Sequence, residues 1–327
     1  MSRQKNAKKI AYFCVILILV LVMIFSGLQI LESTVFYNQY NTEETFVSKT
    51  ITRGGVDYFP RQDVTVIMVL GIDQYGVVED SGSYNNNGDA DMVVLLIFDE
   101  KNETAAALCL NRDTMVEMPV LGIGGSRAGT AYQQLTLSHT YGSGMEDSCE
   151  NTRTTVSNLL YGINIDYYLS MNMDAISILN DAVGGVTVNV ADDFSAVDPS
   201  ITKGEMTLLG QQAINFVRTR KGVSDQLNIS RMERQREYID GFLAAMRKKM
   251  ELSDSFALSA YSDISPYIVT DISSNVFSTM LQRYSGYELT EIVSPEGENV
   301  RGEEYMEFYV DEEKLDDLII RLFYAPK

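Results

Sequence analysis

Val64-Thr-Val-Ile-Met-Val-Leu-Gly-Ile-Asp73 decides the fold. Val64 to Leu70 is an apolar, β-branched run of strand length, too short for a helix spanning a domain, and it reads as a buried strand. Gly71-Ile72 closes it and delivers Asp73 to its carboxyl end. Two further runs follow at close spacing. Met92 to Phe98 is preceded by Gly88-Asp89-Ala90-Asp91, and Thr104 to Leu110 runs into Asn111-Arg112-Asp113-Thr114. Strands are also expected at Ile165–Met171, Val186–Val190 and Met306–Val310. Helices are expected at Leu135–Tyr141, from Asp147 or Ser148 to Leu160, from a cap at Asp174 to Gly184-Gly185, and over Gly210–Val217, Phe256–Ser262, Ser274–Tyr284 and Glu312–Phe323. Met115 to Gln134 reads as a long glycine-bearing loop and Lys203–Leu209 as a hairpin arm. Strands alternating with helices give an α/β class with one dominant sheet.

A second stretch reverses the local charge. Asn215 to Arg236 carries Arg218, Arg220, Lys221, Arg231, Arg234 and Arg236 in a chain of net charge −19. Ser230-Arg231-Met232-Glu233 has capping-box spacing, so a helix is expected from Arg231 to about Met250. Its apolar stripe is Met232, Ile239, Phe242, Leu243, Met246 and Met250. Arginines in a first helical turn oppose the helix dipole by about 0.3–1 kcal/mol each, so Arg231 and Arg234 make sense there if an anion is held at that end.

The amino terminus sets the topology. Ile10 to Ile30 is uncharged over 21 positions, enough to cross a hydrocarbon core of about 30 Å as a transmembrane helix. Arg3, Lys5, Lys8 and Lys9 precede it without an acid, which keeps residues 1–9 cytoplasmic and places the remainder outside. The expected organisation is a basic tail 1–9, a membrane helix 10–30, a juxtamembrane stalk 31–63, a catalytic domain 64–250 and an α/β extension 251–327. Without the four cations of the tail, the −19 of the whole chain becomes −23, which excludes general binding of nucleic acid or anionic lipid. Cys109 and Cys149 are expected to be buried free thiols, and the single histidine, His139, to be structural.

Asp73 and Asp91 stand at strand–loop junctions of neighbouring strands, where paired carboxylates can hold Mg²⁺ together with substrate phosphate oxygens. Arg112, Arg218, Arg220, Arg231 and Arg234 add phosphate-binding guanidiniums, and acids plus arginines are the inventory of phosphoryl transfer. No Gly-x-x-x-x-Gly-Lys loop exists, so a nucleotide P-loop is excluded, and Gly71-Ile72-Asp73-Gln74-Tyr75 lacks the D-x-D-x-T pattern of haloacid-dehalogenase phosphatases.

The order of these motifs resembles the LytR-CpsA-Psr family. It comprises strand-G-I-D at Gly71–Asp73, G-x-x-D at Gly88–Asp91, R-D-T at Arg112–Thr114, D-A-V-G-G-V at Asp181–Val186, R-x-R at Arg218 and Arg220, and S-R-x-x-R-Q at Ser230–Gln235. The resemblance covers Val64 to Met250, and the tail to Tyr324 is similar to the extension of clostridial-type members. It implies a single mixed sheet flanked by helices in an α-β-α arrangement. It also implies an extracytoplasmic, Mg²⁺-dependent phosphotransferase, with Mn²⁺ as an alternative ion and pyrophosphatase as a side activity. Such an enzyme moves an anionic glycopolymer, teichoic acid or capsule, from an undecaprenyl-pyrophosphate carrier to peptidoglycan. By resemblance Asp73 and Asp91 hold the metal. Arg112, Arg218, Arg220, Arg231, Arg234 and Gln235 grip the pyrophosphate, and Asp73, Asp91, Arg112 and Arg231 are the catalytic set.

The chain departs from that pattern at Asp89, where an arginine is usual, and at Asn111, where a proline is usual. It also lacks a lysine within Gln134–Leu137 and carries Asn228 in place of an aspartate. A non-catalytic, membrane-anchored glycopolymer binder or envelope attenuator is therefore the alternative expectation. A carrier-linked substrate also requires an apolar channel beside the arginines. Candidate walls are the Arg231–Met250 helix, Met92–Phe98 and Ile176–Val183.

Overall fold

The computed structural model describes residues 50–122, 125–219, 221–223, 228–253, 256–273, 276, 279–280, 283–284 and 286–326. The expected membrane helix at 10–30 lies outside them, as do Arg220 and part of the expected helix at 274–284. Among the described residues no helix is long and apolar enough to cross a membrane.

Every second residue of strand β3 (Val64–Ile72) faces the same side, and the two sets enter two separate cores. Ile67 and Val69 join one cluster, and Val66, Met68, Leu70 and Ile72 the other. The chain lays down its elements as β1 (Ile51–Arg53), β2 (Val56–Pro60), β3, β4 (Ala90–Asp99), β5 (Thr104–Leu110), β6 (Met115–Leu121), β7 (Arg127–Gln134), α1 (Leu137–Thr140) and α2 (Glu146–Leu159). Then come β8 (Tyr167–Asn172), α3 (Met173–Ala182), β9 (Val186–Val190), β10 (Gly204–Leu208), α4 (Gln211–Arg218), α5 (Asn228–Leu252) and α6 (Phe256–Ile264). After these the chain supplies β11 (Ile268–Thr270), β12 (Glu288–Val293), β13 (Gly297–Arg301), β14 (Met306–Val310), α7 (Glu312–Phe323) and β15 (Tyr324–Pro326). The main sheet has the order β11-β8-β3-β4-β5-β12. Its β8–β3 and β5–β12 pairs are parallel, and the β11–β8, β3–β4 and β4–β5 pairs are antiparallel, so the sheet is mixed. Elements α3 to α6 and the β9–β10 pair cover one face, while α2, α7 and β6 cover the other.

Several expectations are corrected. The loop expected at Met115–Gln134 is the β6–β7 hairpin, because Val116 and Met118 turn inward while Glu117 faces water, an alternation that Pro119 and the neighbouring glycines obscured. The cap of α3 is Asn172, whose Oδ1 accepts from the amides of Asp174 and Ala175, rather than Asp174. Helix α5 begins at Asn228, so Ser230 lies inside the helix and its spacing to Glu233 is not a capping box. Residues 51–60, part of the expected stalk, form the β1–β2 hairpin, and β15 pairs with β2. Both Cys109 and Cys149 are buried free thiols.

The two neighbouring glycines after α3 adopt φ of 88° and 91°, and a Cβ on Gly185 would approach Thr207 Cγ2 to 2.6 Å. Only glycine allows the helix to stop and β9 to pair with β10 in that space. On α5, a Cβ at Gly241 would come within 2.3 Å of Thr187 O, so the helix lies directly on β9.

His139 closes the loop that carries Gly88 and Asp89 into β4. Its Nδ1 donates to Gly88 O at 3.0 Å, while Nε2 is buried without a hydrogen-bond partner. Burial pulls this imidazole down to about 4. As pH falls, the unfolded chain protonates near the ordinary value of about 6.5, before the folded one does, so stability present above that pH is lost on the way to pH 4. Between pH 7 and 4.5 this one group should remove about 2–3 kcal/mol. Urea unfolding of wild type and His139→Gln at both pH values should give a visibly smaller pH effect in the variant; identical pH dependence would refute the assignment.

Candidate phosphate site

Strand register brings the two acids together. Ile72 pairs with Ala90, and the amide of Asp73 donates to Asp89 O at 2.9 Å, so Asp73 and Asp91 leave neighbouring antiparallel strands at the same end. Asp91 is 8% exposed and is held from two sides. Its Oδ1 meets Arg112 Nη1, and its Oδ2 accepts from Arg231 Nη1 at 3.0 Å. Arg112 also lies 3.6 Å from Asp89 and, through Nε, 3.4 Å from Asp113. Arg231 is 2% exposed, an unusual depth for a guanidinium and tolerable because a carboxylate faces it.

Arg218, at the last turn of α4, reaches Asp73 at 2.8 Å and lies 5.8 Å from the centre of the Tyr75 ring. The Asp73 carboxylate raises the Arg218 guanidinium above its ordinary range. Gln235 donates to Val217 O at 3.2 Å and lines the same mouth as Asp91 and Arg218. Asp73, Asp91, Arg112, Arg218, Arg231 and Gln235 are thus brought together from sequence positions far apart. Arg234 is placed differently. Its Nε donates to Phe216 O at 3.0 Å, its Nη1 to Asp192 at 2.7 Å and its Nη2 to Thr219 O, so it ties α5 to the end of α4.

Asp192 and Tyr75 are site neighbours that sequence reasoning missed. Asp192 follows β9, and an acid just past a strand end is the signal that singled out Asp73. Two of the departures have clear local roles. Asn111 Oδ1 accepts from the Asp113 amide at 3.0 Å and shapes the turn that aims Arg112, while Asp89 accepts from Thr140 Oγ1 at 3.0 Å. The side chain of Asn228 lies outside the described residues.

Beneath the mouth opens an apolar channel with a cavity volume of about 120 Å³. Its walls are Met92, Val94 and Leu96 of β4, Ile176 and Leu179 of α3, Tyr238, Ile239 and Phe242 of α5, and Leu289 and Ile292 of β12. All three expected walls take part. Met246 is instead closed core, and the Leu243 side chain lies outside the described residues.

Among the described residues no group of three or more acidic, histidine or cysteine side chains could hold a metal by itself. A site completed by substrate needs fewer, because Mg²⁺ is commonly bound by one or two carboxylates plus phosphate oxygens. Oδ1 of both Asp73 and Asp91 is buried, faces a guanidinium and accepts no well-directed hydrogen bond. These hard oxygen donors suit Mg²⁺ or Mn²⁺.

The sequence profile of the LytR_cpsA_psr family matches residues 31–322. The polyisoprenyl-teichoic acid–peptidoglycan teichoic acid transferase TagU of Oceanobacillus iheyensis is 26% identical over 329 residues, covering 96% of this chain and 94% of that protein. Among solved structures, gbs0355 of Streptococcus agalactiae superposes with a TM-score of 0.65 at 25% identity, over 80% of this chain and 86% of that one. The structure titled "TagT bound to LIIa-WTA" gives 0.60 at 23% identity, over 85% and 96%.

The geometry gives Asp91 a structural role. Asp91→Asn should cost about 3 kcal/mol of stability, because two largely buried guanidiniums lose their shared counter-charge. Chemical denaturation should reveal that loss, and adding inorganic pyrophosphate should stabilise the variant more than wild type by supplying a replacement anion. An unchanged unfolding midpoint would show that the arginines do not depend on Asp91.

Proposed function

The chain belongs to the LytR_cpsA_psr family, and on that premise we propose that it transfers an anionic glycopolymer of the teichoic acid or capsule type from a polyprenyl-pyrophosphate carrier to peptidoglycan. The observation that carries this reading is the apolar channel opening at the arginine–aspartate cluster. A carrier lipid needs an apolar enclosure next to an anion site, since exposing it costs about 25 cal/mol per Å². We further propose that residues 10–30 anchor the chain in the membrane and that the folded part stands outside the cell.

In this mechanism the lipid enters the channel and its pyrophosphate lies at the mouth. Arg112, Arg218 and Arg231 contact the phosphates, with Gln235 alongside, and Arg234 acts through the α4–α5 junction that it fixes. Among the described residues, Asp73, Asp89, Asp91 and Asp113 set four carboxylates against the three guanidiniums of Arg112, Arg218 and Arg231, leaving one negative charge. An anionic substrate gains little from such a cluster. Asp73 and Asp91 would hold Mg²⁺, which when bound reverses that balance and neutralises charge developing on the pyrophosphate. The guanidiniums of Arg112, Arg218 and Arg231 stand at the mouth, where each can bond phosphate oxygens bidentately. An acceptor sugar hydroxyl attacks the sugar-linked phosphorus, the bond to the bridging oxygen breaks, polyprenyl phosphate leaves with the electron pair, and the hydroxyl proton is released to solvent.

Incubating the full chain in detergent with a polyprenyl-pyrophosphoryl saccharide, Mg²⁺ and peptidoglycan fragments should yield a phosphodiester-linked product by mass spectrometry. Binding without turnover, or turnover indifferent to chelator, would sink this mechanism. Filling the channel tests the lipid. Ile239→Trp or Ile176→Trp should weaken long-chain polyprenyl pyrophosphate by about a hundredfold through lost apolar burial and leave inorganic pyrophosphate within about twofold. Equal loss of both ligands, or of neither, would place the lipid elsewhere.

A further inference from the structure

A second concavity adjoins the phosphate site and takes no part in the channel. It is a groove of about 690 Å³ between the start of α5, the turn after β12 and the β13–β14 hairpin. Asn111 and Met232 belong to its lining, and each is the chain neighbour of an arginine on Asp91. A small cavity walled by Met232, Gln235, Arg236 and Ile239 shares walls with both the channel and the groove.

The two concavities use different faces of α5. At 100° per residue, the channel residues Gln235, Tyr238, Ile239 and Phe242 and the groove residues Met232, Glu233 and Arg236 centre about a third of a turn apart. Two ligands can therefore flank the phosphate site at once. The β13–β14 hairpin is fixed there by the Phe308 amide, which donates to Asp113 O at 2.8 Å.

The chemistry of the groove differs from that of the channel. Tyr309 lines it and is 39% exposed, its hydroxyl donating to Glu307 Oε2 at 2.6 Å. Glu233 and Glu298 are exposed lining acids with no ion-pair partner among the described residues. Carboxylates only accept hydrogen bonds, which suits sugar hydroxyl and amide donors, and a tyrosine ring offers an apolar face with a polar tip to a pyranose. The same acids repel a polyanionic chain, so they sort the two substrates by charge.

We propose that this groove binds the acceptor glycan, a chain of N-acetylated sugars, and presents its hydroxyl to the phosphate site, an inference that rests on the transferase reading above. Calorimetry of the full chain with an uncrosslinked peptidoglycan glycan fragment should detect binding. Tyr309→Ala and Glu298→Lys should each weaken it about tenfold, whereas Tyr309→Phe, which keeps the ring, should retain it. In transfer assays both weakening variants should raise the KM for the glycan by a similar factor, with kcat at saturating glycan and the KM for the lipid donor held. Both positions are exposed, and thermal unfolding identifies any variant that fails to fold, leaving the other to decide. Glycan binding without transfer in wild type would uphold the groove and overturn the transferase reading. Transfer in wild type with unaltered glycan affinity in both variants would overturn the groove alone, and a wild type that neither binds glycan nor transfers would overturn both.

Discussion

One buried carboxylate shared by two guanidiniums organises this molecule. Asp91 stands at the start of β4, Arg112 in the turn after β5, and Arg231 in the first turn of α5, so a single acid joins the central sheet to the helix that roofs it. Desolvating such a group is expensive, and the expense is recovered only while all three partners are present. The arrangement is therefore poor as ordinary structural glue. Under the proposed function it makes sense as a standing charge pattern, in which guanidiniums that pair with protein acids are kept ready for phosphate oxygens.

The division of β3 between two cores explains why the chemistry sits on one side. The face bearing Val66, Met68 and Leu70 is closed by α2, α7 and β6 with ordinary packing. On the other face, Val69 and Gly71 look into the channel, and α3 and α5 stand apart enough to leave it open. The contact of Gly241 with Thr187 holds α5 down on β9 at its middle. Its amino-terminal half is then free to serve as channel wall and arginine carrier together.

What the sequence disclosed and what it hid have physical causes. The buried strands were legible because an unbroken apolar run has few other uses, and acids at strand–loop junctions marked Asp73 and Asp91. The channel walls followed from the same apolar stripes. The β6–β7 hairpin was missed because Pro119 and clustered glycines mimic a loop, although Val116, Glu117 and Met118 carry the alternation. The start of α5 was missed by three residues because a capping-box spacing also occurs inside helices. The fixed position of Arg234 could not be read at all, since its partners are two backbone carbonyls and an acid on another element. Register, not composition, decides such contacts.

The edges of the main sheet come from the end of the chain. Until β11 and β12 are made, β8 and β5 carry open hydrogen-bonding edges, and β2 waits for β15, the last strand described. A nascent chain that has emerged only through α5 thus holds a four-stranded centre that can pair with any passing strand. The finishing strands are poor templates, three residues in β11 and a register shift at Leu289/Glu291 in β12. Vectorial synthesis consequently makes the final quarter of the chain its own protection against aggregation: an early stop codon would lose the sheet's safeguards as well as its last helix.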